Sequence, residues 1–220
     1  MTDIPDLTGP EAEAVSGGPA KQLIIFVHGY GADGSDLFSL GQYFKTVTPE
    51  AALCAPNAPY RCEGSPFGYQ WYDVLMQDPS ERLRAIRSTA AIFDNFVDQQ
   101  LDRRGLSDDK LVLIGFSQGT MMSLFAAPRR ERSIAGIVGY SGRMEAPELL
   151  KEEIQSRPPV VMVHGDSDEL LAVSEMETAA ASLRDNGVEV ATHVRPGLGH
   201  GIDEQGIHLG LEFVGRVLGT

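Results

Sequence analysis

Leu111-Val112-Leu113-Ile114-Gly115-Phe116-Ser117-Gln118-Gly119 decides the fold of this 220-residue chain. A short, unbroken apolar run bounded by glycine reads as a strand buried on both faces. It enters a Gly-x-Ser-x-Gly turn, and a helical pattern over residues 119–127 follows at once. The glycines permit a turn too tight for side chains, so the serine hydroxyl is projected above the end of the sheet. The five-residue pattern alone is weak in a glycine-rich chain. The strand before it and the helix after it give it weight, because a nucleophilic serine needs that support.

Outward from this point, residues 23–27, 134–138 and 160–163 are further buried-strand candidates. Residues 51–55 and 188–194 are weaker ones, the second alternating as a sheet-edge strand does. Between them, residues 81–101 carry Leu83, Ile86, Ala90, Phe93, Val97 and Leu101 at helical steps, and residues 174–185 and 205–218 read likewise. Strands alternating with helices predict an α/β fold with a mainly parallel central sheet and helices on both faces. Sites in such sheets form beyond the carboxyl ends of the strands. No repeat or linker divides the chain, so residues 1–220 are expected to form a single domain, too short for a large cap. Ser16-Gly17-Gly18-Pro19 is expected to be a loop, and residues 56–80, rich in Pro, Gly and aromatics, a long one near the site.

Lys+Arg 18 against Asp+Glu 31 gives a net charge of −13, which repels phosphate backbones and anionic lipid surfaces. Nucleic-acid binding and stable membrane insertion are therefore not expected. The first twenty residues hold Asp3, Asp6, Glu11 and Glu13, with no basic residue before Lys21 and no apolar run. No secretory signal is expected, and a cytoplasmic location with Cys54 and Cys62 as reduced thiols follows.

A serine at such a turn requires a base and an acid to orient it, and in this fold they follow in the order Ser, Asp or Glu, His. Of the later histidines, only His200 lies in a glycine-rich loop, Pro196-Gly197-Leu198-Gly199-His200-Gly201. His164 and His193 fall in or at the ends of strand patterns, where a histidine bonded to backbone is expected, and His208 falls on a helix surface. Asp166 and Asp168 both follow strand 160–163, and spacing does not choose between them. An oxyanion would be held by the amides of Gln118 and, from the loop after the first core strand, Tyr30. His28 in that loop reads as structural. Ser141, in Gly139-Tyr140-Ser141-Gly142, is the rival nucleophile, but it lacks the second glycine and a helix behind it.

With these residues placed, the chain resembles the phospholipase/carboxylesterase family of α/β-hydrolases, which includes the acyl-protein thioesterases. The likeness rests on residues 28–34 (His-Gly-Tyr-Gly-Ala-Asp-Gly), 55–59 (Ala-Pro-Asn-Ala-Pro) and 71–73 (Trp-Tyr-Asp), the Ser117 turn, residues 164–168 (His-Gly-Asp-Ser-Asp) and Gly199-His200. It implies the α/β-hydrolase fold and a triad of Ser117, Asp168 and His200, with Asp166 holding the turn and Tyr30 and Gln118 as oxyanion donors. It also implies no metal or organic cofactor. The expected partner is a small-molecule ester or acyl-thioester substrate, with a homodimer allowed. Trp71, Tyr72 and Leu170 are the candidate substrate-binding residues; with Phe67 and Tyr69, the first two either wall an acyl pocket or anchor the loop by packing. Tyr72, and Leu170-Leu171-Ala172, depart from the family's usual residues. A peptidase or other acyl hydrolase on the same fold, and a catalytically silent binding protein, are the alternatives.

Overall fold

A computed structural model describes residues 5–62, 64–65 and 67–220; Asp3, and Glu63 and Pro66 of the long loop, lie outside them. In chain order the strands are β1 (Glu11–Ala12), β2 (Gln22–Val27), β3 (Ala51–Cys54), β4 (Tyr60–Arg61), β5 (Tyr69–Gln70), β6 (Leu111–Phe116), β7 (Gly136–Tyr140), β8 (Val160–Gly165) and β9 (Val190–Arg195). The helices are α1 (Gly34–Phe38), α2 (Gly41–Val47), α3 (Pro79–Arg104), α4 (Gln118–Ala126), α5 (Leu150–Glu153), α6 (Val173–Asp185) and α7 (Glu204–Leu218). Seven strands form one sheet in the order β1-β3-β2-β6-β7-β8-β9. All neighbours are parallel except β1, which runs antiparallel to β3.

The apolar runs are unbroken because both faces of the sheet are covered. Leu23, Ile25 and Val27 of β2, with Leu111 and Leu113 of β6, pack on one face against Ile86 and Phe93 of α3, Met122 of α4 and Ala180 of α6. Ile24, Phe26, Val112 and Ile114 point the other way, to Leu37 of α1, Phe44 of α2 and Phe213 of α7. Helix α3 exceeds the 81–101 expectation at both ends. Asp78 caps its N-terminus by accepting from the Ser80 and Glu81 amides, Pro79 occupies its first turn, and Gly105 ends it at φ 63°.

Three corrections concern strands and short helices. β7 begins two residues later than residues 134–138 suggest. β3 is fully buried rather than marginal, because β1 covers its outer edge. α1, α2 and β1 have no counterpart in the sequence reading. Within residues 56–80 lies the antiparallel hairpin β4–β5, and an Ala32–Tyr69 bridge joins it to the loop after β2.

Candidate active site

Ser117 stands between β6 and α4 with φ 52° and ψ −115°, a conformation that costs a non-glycine residue energy and persists only where its surroundings impose it. The surroundings here are tight. A Cβ on Gly119 would lie 1.7 Å from the Val27 carbonyl oxygen, and one on Gly115 would lie 2.6 Å from Gly119 C. The Ser117 amide donates to the Tyr140 carbonyl at 2.9 Å, tying the turn to β7. Gln118, the first residue of α4, has an amide outside the helix's internal hydrogen-bond ladder.

The two loops that carry Asp168 and His200 are stitched together beyond β8 and β9. The Ser167 amide donates to Leu198 O at 3.0 Å and the Gly197 amide to Asp166 Oδ1 at 2.7 Å. Gly165 permits this approach, since a Cβ there would lie 2.0 Å from Leu198 O. His200 Nδ1 donates to Asp168 Oδ2 at 2.8 Å, so Nε2 is left for other work. The His200 ring packs on Phe116, the neighbour of Ser117, at 5.1 Å between centroids.

The Asp168 side chain has no exposed surface. Burial pushes its carboxyl up, but hydrogen bonds from the Leu171 amide, His200 and the Leu170 amide outweigh this and hold it below the usual aspartate value. Its contribution to stability is therefore complete above the ordinary aspartate value and is lost as the pH falls through the lower folded one.

On the opposite side, His28 bridges two loops. Its Nδ1 donates to Gly29 O at 2.7 Å and its Nε2 accepts from the Ala58 amide at 3.0 Å, which fixes a neutral ring. Burial lowers its pKa in the same sense. Gly34 N donates to Asn57 Oδ1 at 2.8 Å, Trp71 Nε1 to His28 O at 3.0 Å, and Gly31 N to Tyr69 O at 2.9 Å. The Tyr30 loop is thus carried on the sequence that follows β3.

The Gln118 side chain completes this frame. Its Oε1 accepts from the Trp71 amide at 3.0 Å and its Nε2 donates to Tyr72 O at 2.6 Å. Gln118→Ala would leave two buried backbone groups unpaired and is expected to cost about 2 to 5 kcal/mol of stability. A denaturant midpoint unchanged from wild type would contradict this.

Trp71 is 0% exposed and Tyr72 1%, so in this structure they offer no surface to a substrate. Both serve as packing anchors: Trp71 meets Phe93 edge-on at 5.3 Å, and the Tyr72 hydroxyl reaches Met121 and Glu145. Leu170, by contrast, is 74% exposed directly beside the acid loop, and Phe67 of the hairpin is 85% exposed. Ser141 is buried, and its Oγ donates to Gly201 O at 3.2 Å, pinning the His200 loop. His208 lies on the helix surface against Glu212. Cys54 and Cys62 are both buried and free, and burial raises the Cys54 thiol to about 12. His164 bonds to backbone as expected, through Leu171 O at 3.0 Å, but also approaches Asp168 Oδ2 at 3.1 Å. Strand spacing gives no sign of that second contact.

Comparison with known proteins identifies relatives of the whole chain. The family profile described as Phospholipase/Carboxylesterase matches residues 11–217. Acyl-protein thioesterase 1 of Saccharomyces cerevisiae is 31% identical over 175 residues, covering 70% of this chain and 74% of that protein. Esterase YpfH of Escherichia coli is 24% identical over 196 residues, covering 89% and 83%. The crystal structure of esterase PE8 superposes with a TM-score of 0.92 at 39% identity, covering 97% of this chain and 100% of that one. That of Arabidopsis thaliana SOBER1, at 23% identity, covers 90% and 100% with a TM-score of 0.78 and shares the fold.

Proposed function

The chain belongs to the phospholipase/carboxylesterase family and is a serine hydrolase of carboxylic esters or thioesters; from that premise we propose that it works through an acyl-enzyme on Ser117, with His200 as base and Asp168 as the acid that orients it. The observation that carries this reading is the 2.8 Å bond from His200 Nδ1 to Asp168, with the same ring packed on the neighbour of a serine held at φ 52°.

In this reading Ser117 Oγ attacks the acyl carbonyl carbon while its proton passes to His200 Nε2. The oxyanion so formed accepts from the amides of Gln118 and Tyr30. Collapse breaks the C–O or C–S bond, and the departing alkoxide or thiolate takes the proton from His200. Water, giving a proton to the same nitrogen, then releases the carboxylic acid and restores Ser117. Asp168, kept ionised by its donors, holds the imidazole in the Nδ1–H tautomer and balances its charge.

The proposed substrates are small soluble esters and thioesters. Exposed Leu170 offers an apolar rim to the acyl group, whereas the charge of −13 opposes approach to an anionic bilayer. No helix among the described residues is long and apolar enough to cross a membrane. The acidic surface opposes a nucleic-acid partner, and the proposed place of action is the cytoplasm. The test is kcat/KM across p-nitrophenyl esters from acetate to palmitate, with an acyl-thioester and a lysophospholipid alongside. Turnover of the soluble short-chain esters and the thioester is expected. Hydrolysis confined to long-chain phospholipid would overturn the assignment.

A further inference from the structure

We propose that His164 is a positioning residue for the triad acid, its Nε2–H held between the Asp168 carboxylate and the Leu171 carbonyl so that Oδ2 stays aimed at His200. The inference rests on the reading of Asp168 and His200 given above and assigns a part to a residue outside the triad.

The side chains of His164 and Asp168 are both wholly buried, with Nε2 3.1 Å from Oδ2 and 3.0 Å from Leu171 O. His164 Nδ1 is buried with no hydrogen-bond partner among the described residues. A buried N–H without an acceptor is strongly disfavoured, so the hydrogen belongs on Nε2, where Leu171 O accepts it and the Asp168 carboxylate lies alongside, and Nδ1 keeps its lone pair. Asp168 accepts three hydrogen bonds, from the amides of Leu170 and Leu171 on Oδ1, each at 2.9 Å, and from His200 on Oδ2, and His164 Nε2 adds a polar contact to Oδ2 at 3.1 Å.

Two consequences follow from sharing Oδ2. The carboxylate cannot turn about its Cβ–Cγ bond without losing the His164 contact, so His200 meets a fixed acceptor. His164 also withdraws electron density from the oxygen that His200 uses, which weakens the hold of Asp168 on a protonated His200 ring. The base of this support is rigid, since His164 lies in β8, paired to Val194 of β9, with Tyr140 of β7 opposite Val163.

The other titratable groups nearby are engaged elsewhere or lie apart. Asp166 accepts from Gly197 N and Ser167 Oγ, Arg195 of β9 pairs with Asp203, and the Tyr140 hydroxyl donates to Gly206 O. Glu169 is exposed in the acid loop, and Glu175 stands on α6. None of these bonds to either imidazole among the described residues.

The test compares variants that keep or move the donor. Gln places an amide nitrogen where Nε2 stands, Asn places one where Nδ1 stands, and Leu removes it. His164→Asn and His164→Leu are expected to lose about tenfold in kcat, with KM within about twofold. They should also move the acid limb of the kcat/KM profile to higher pH, because Asp168 then serves His200 alone. His164→Gln should restore both the limb and most of kcat. An unmoved acid limb in the Asn variant, or Asn and Gln variants that behave alike, would overturn the proposal. Nitrogen NMR of the wild-type protein is independent of how any variant folds. It should find hydrogen on Nε2 of the neutral His164 ring, and an Nδ1–H tautomer would equally overturn the proposal. Failure of the triad reading looks different: Asp168→Asn would keep the wild-type rate while the His164 tautomer stayed as described.

Discussion

Ser117→Ala is expected to lower kcat by about 10⁴- to 10⁶-fold, the loss that removal of a triad nucleophile produces. The fold should survive, because the change removes one oxygen and adds no bulk at a position held by the Ser117 amide bond to Tyr140 O and by the close approach of Gly119 to β2. A fluorophosphonate probe should label Ser117 in the wild-type protein and nothing in the variant. The competing outcome is labelling at Ser141, and the structure speaks against it. Ser141 is 1% exposed, and its hydroxyl is committed to Gly201 O. Ser141→Ala should loosen the His200 loop without abolishing turnover.

Asp168→Asn is expected to cost about 10⁴-fold in kcat, and Asp166→Asn less than about tenfold. The two aspartates are only two residues apart but do different things. Asp168 accepts His200 Nδ1–H; an amide there would present a donor to that nitrogen and favour the wrong tautomer. Asp166 accepts the Gly197 amide and Ser167 hydroxyl on Oδ1, a task an asparagine oxygen can perform. Equal damage from both, with unchanged stability, would mean that the acid has been misassigned.

Much of this arrangement is legible in the chain before it folds. Parallel strands covered on both faces must be apolar at every position, which is why residues 23–27, 111–114 and 160–163 stand out. Ser117, Asp168 and His200, the residues of the proposed triad, each follow a strand, in the order expected of this fold. The apolar run 134–138 contains Gly136 but stops short of Gly139 and Tyr140, whereas β7 spans Gly136–Tyr140 and holds both glycines. Their reason is tertiary: a Cβ at Gly136 would meet the Phe213 ring at 2.7 Å, and one at Gly139 would meet Thr120 Cγ2 at 2.7 Å. α1 spans five residues, too few to display a helical period, and is set by the Asp33 cap and by Asn57 from across the loop.

The sequence by itself determined the α/β alternation, the strand-turn-helix that carries Ser117, and the short lists from which acid and base are drawn. Only the tertiary structure decided the direction in which each side chain points. It turned Trp71 and Tyr72 inward, where Phe93 meets the indole and Met121 and Glu145 meet the phenol, while the Gln118 side chain holds their backbone. It set Asp168 against His200 and Asp166 against Gly197, and it brought His164 to the same carboxylate. Those contacts join residues of β8 and the loops beyond β8 and β9, and the pairing of β8 with β9 brings these segments together. Spacing along one chain records which residues can reach a loop, whereas hydrogen-bond geometry between loops depends on that pairing and on the glycines that let the backbones touch.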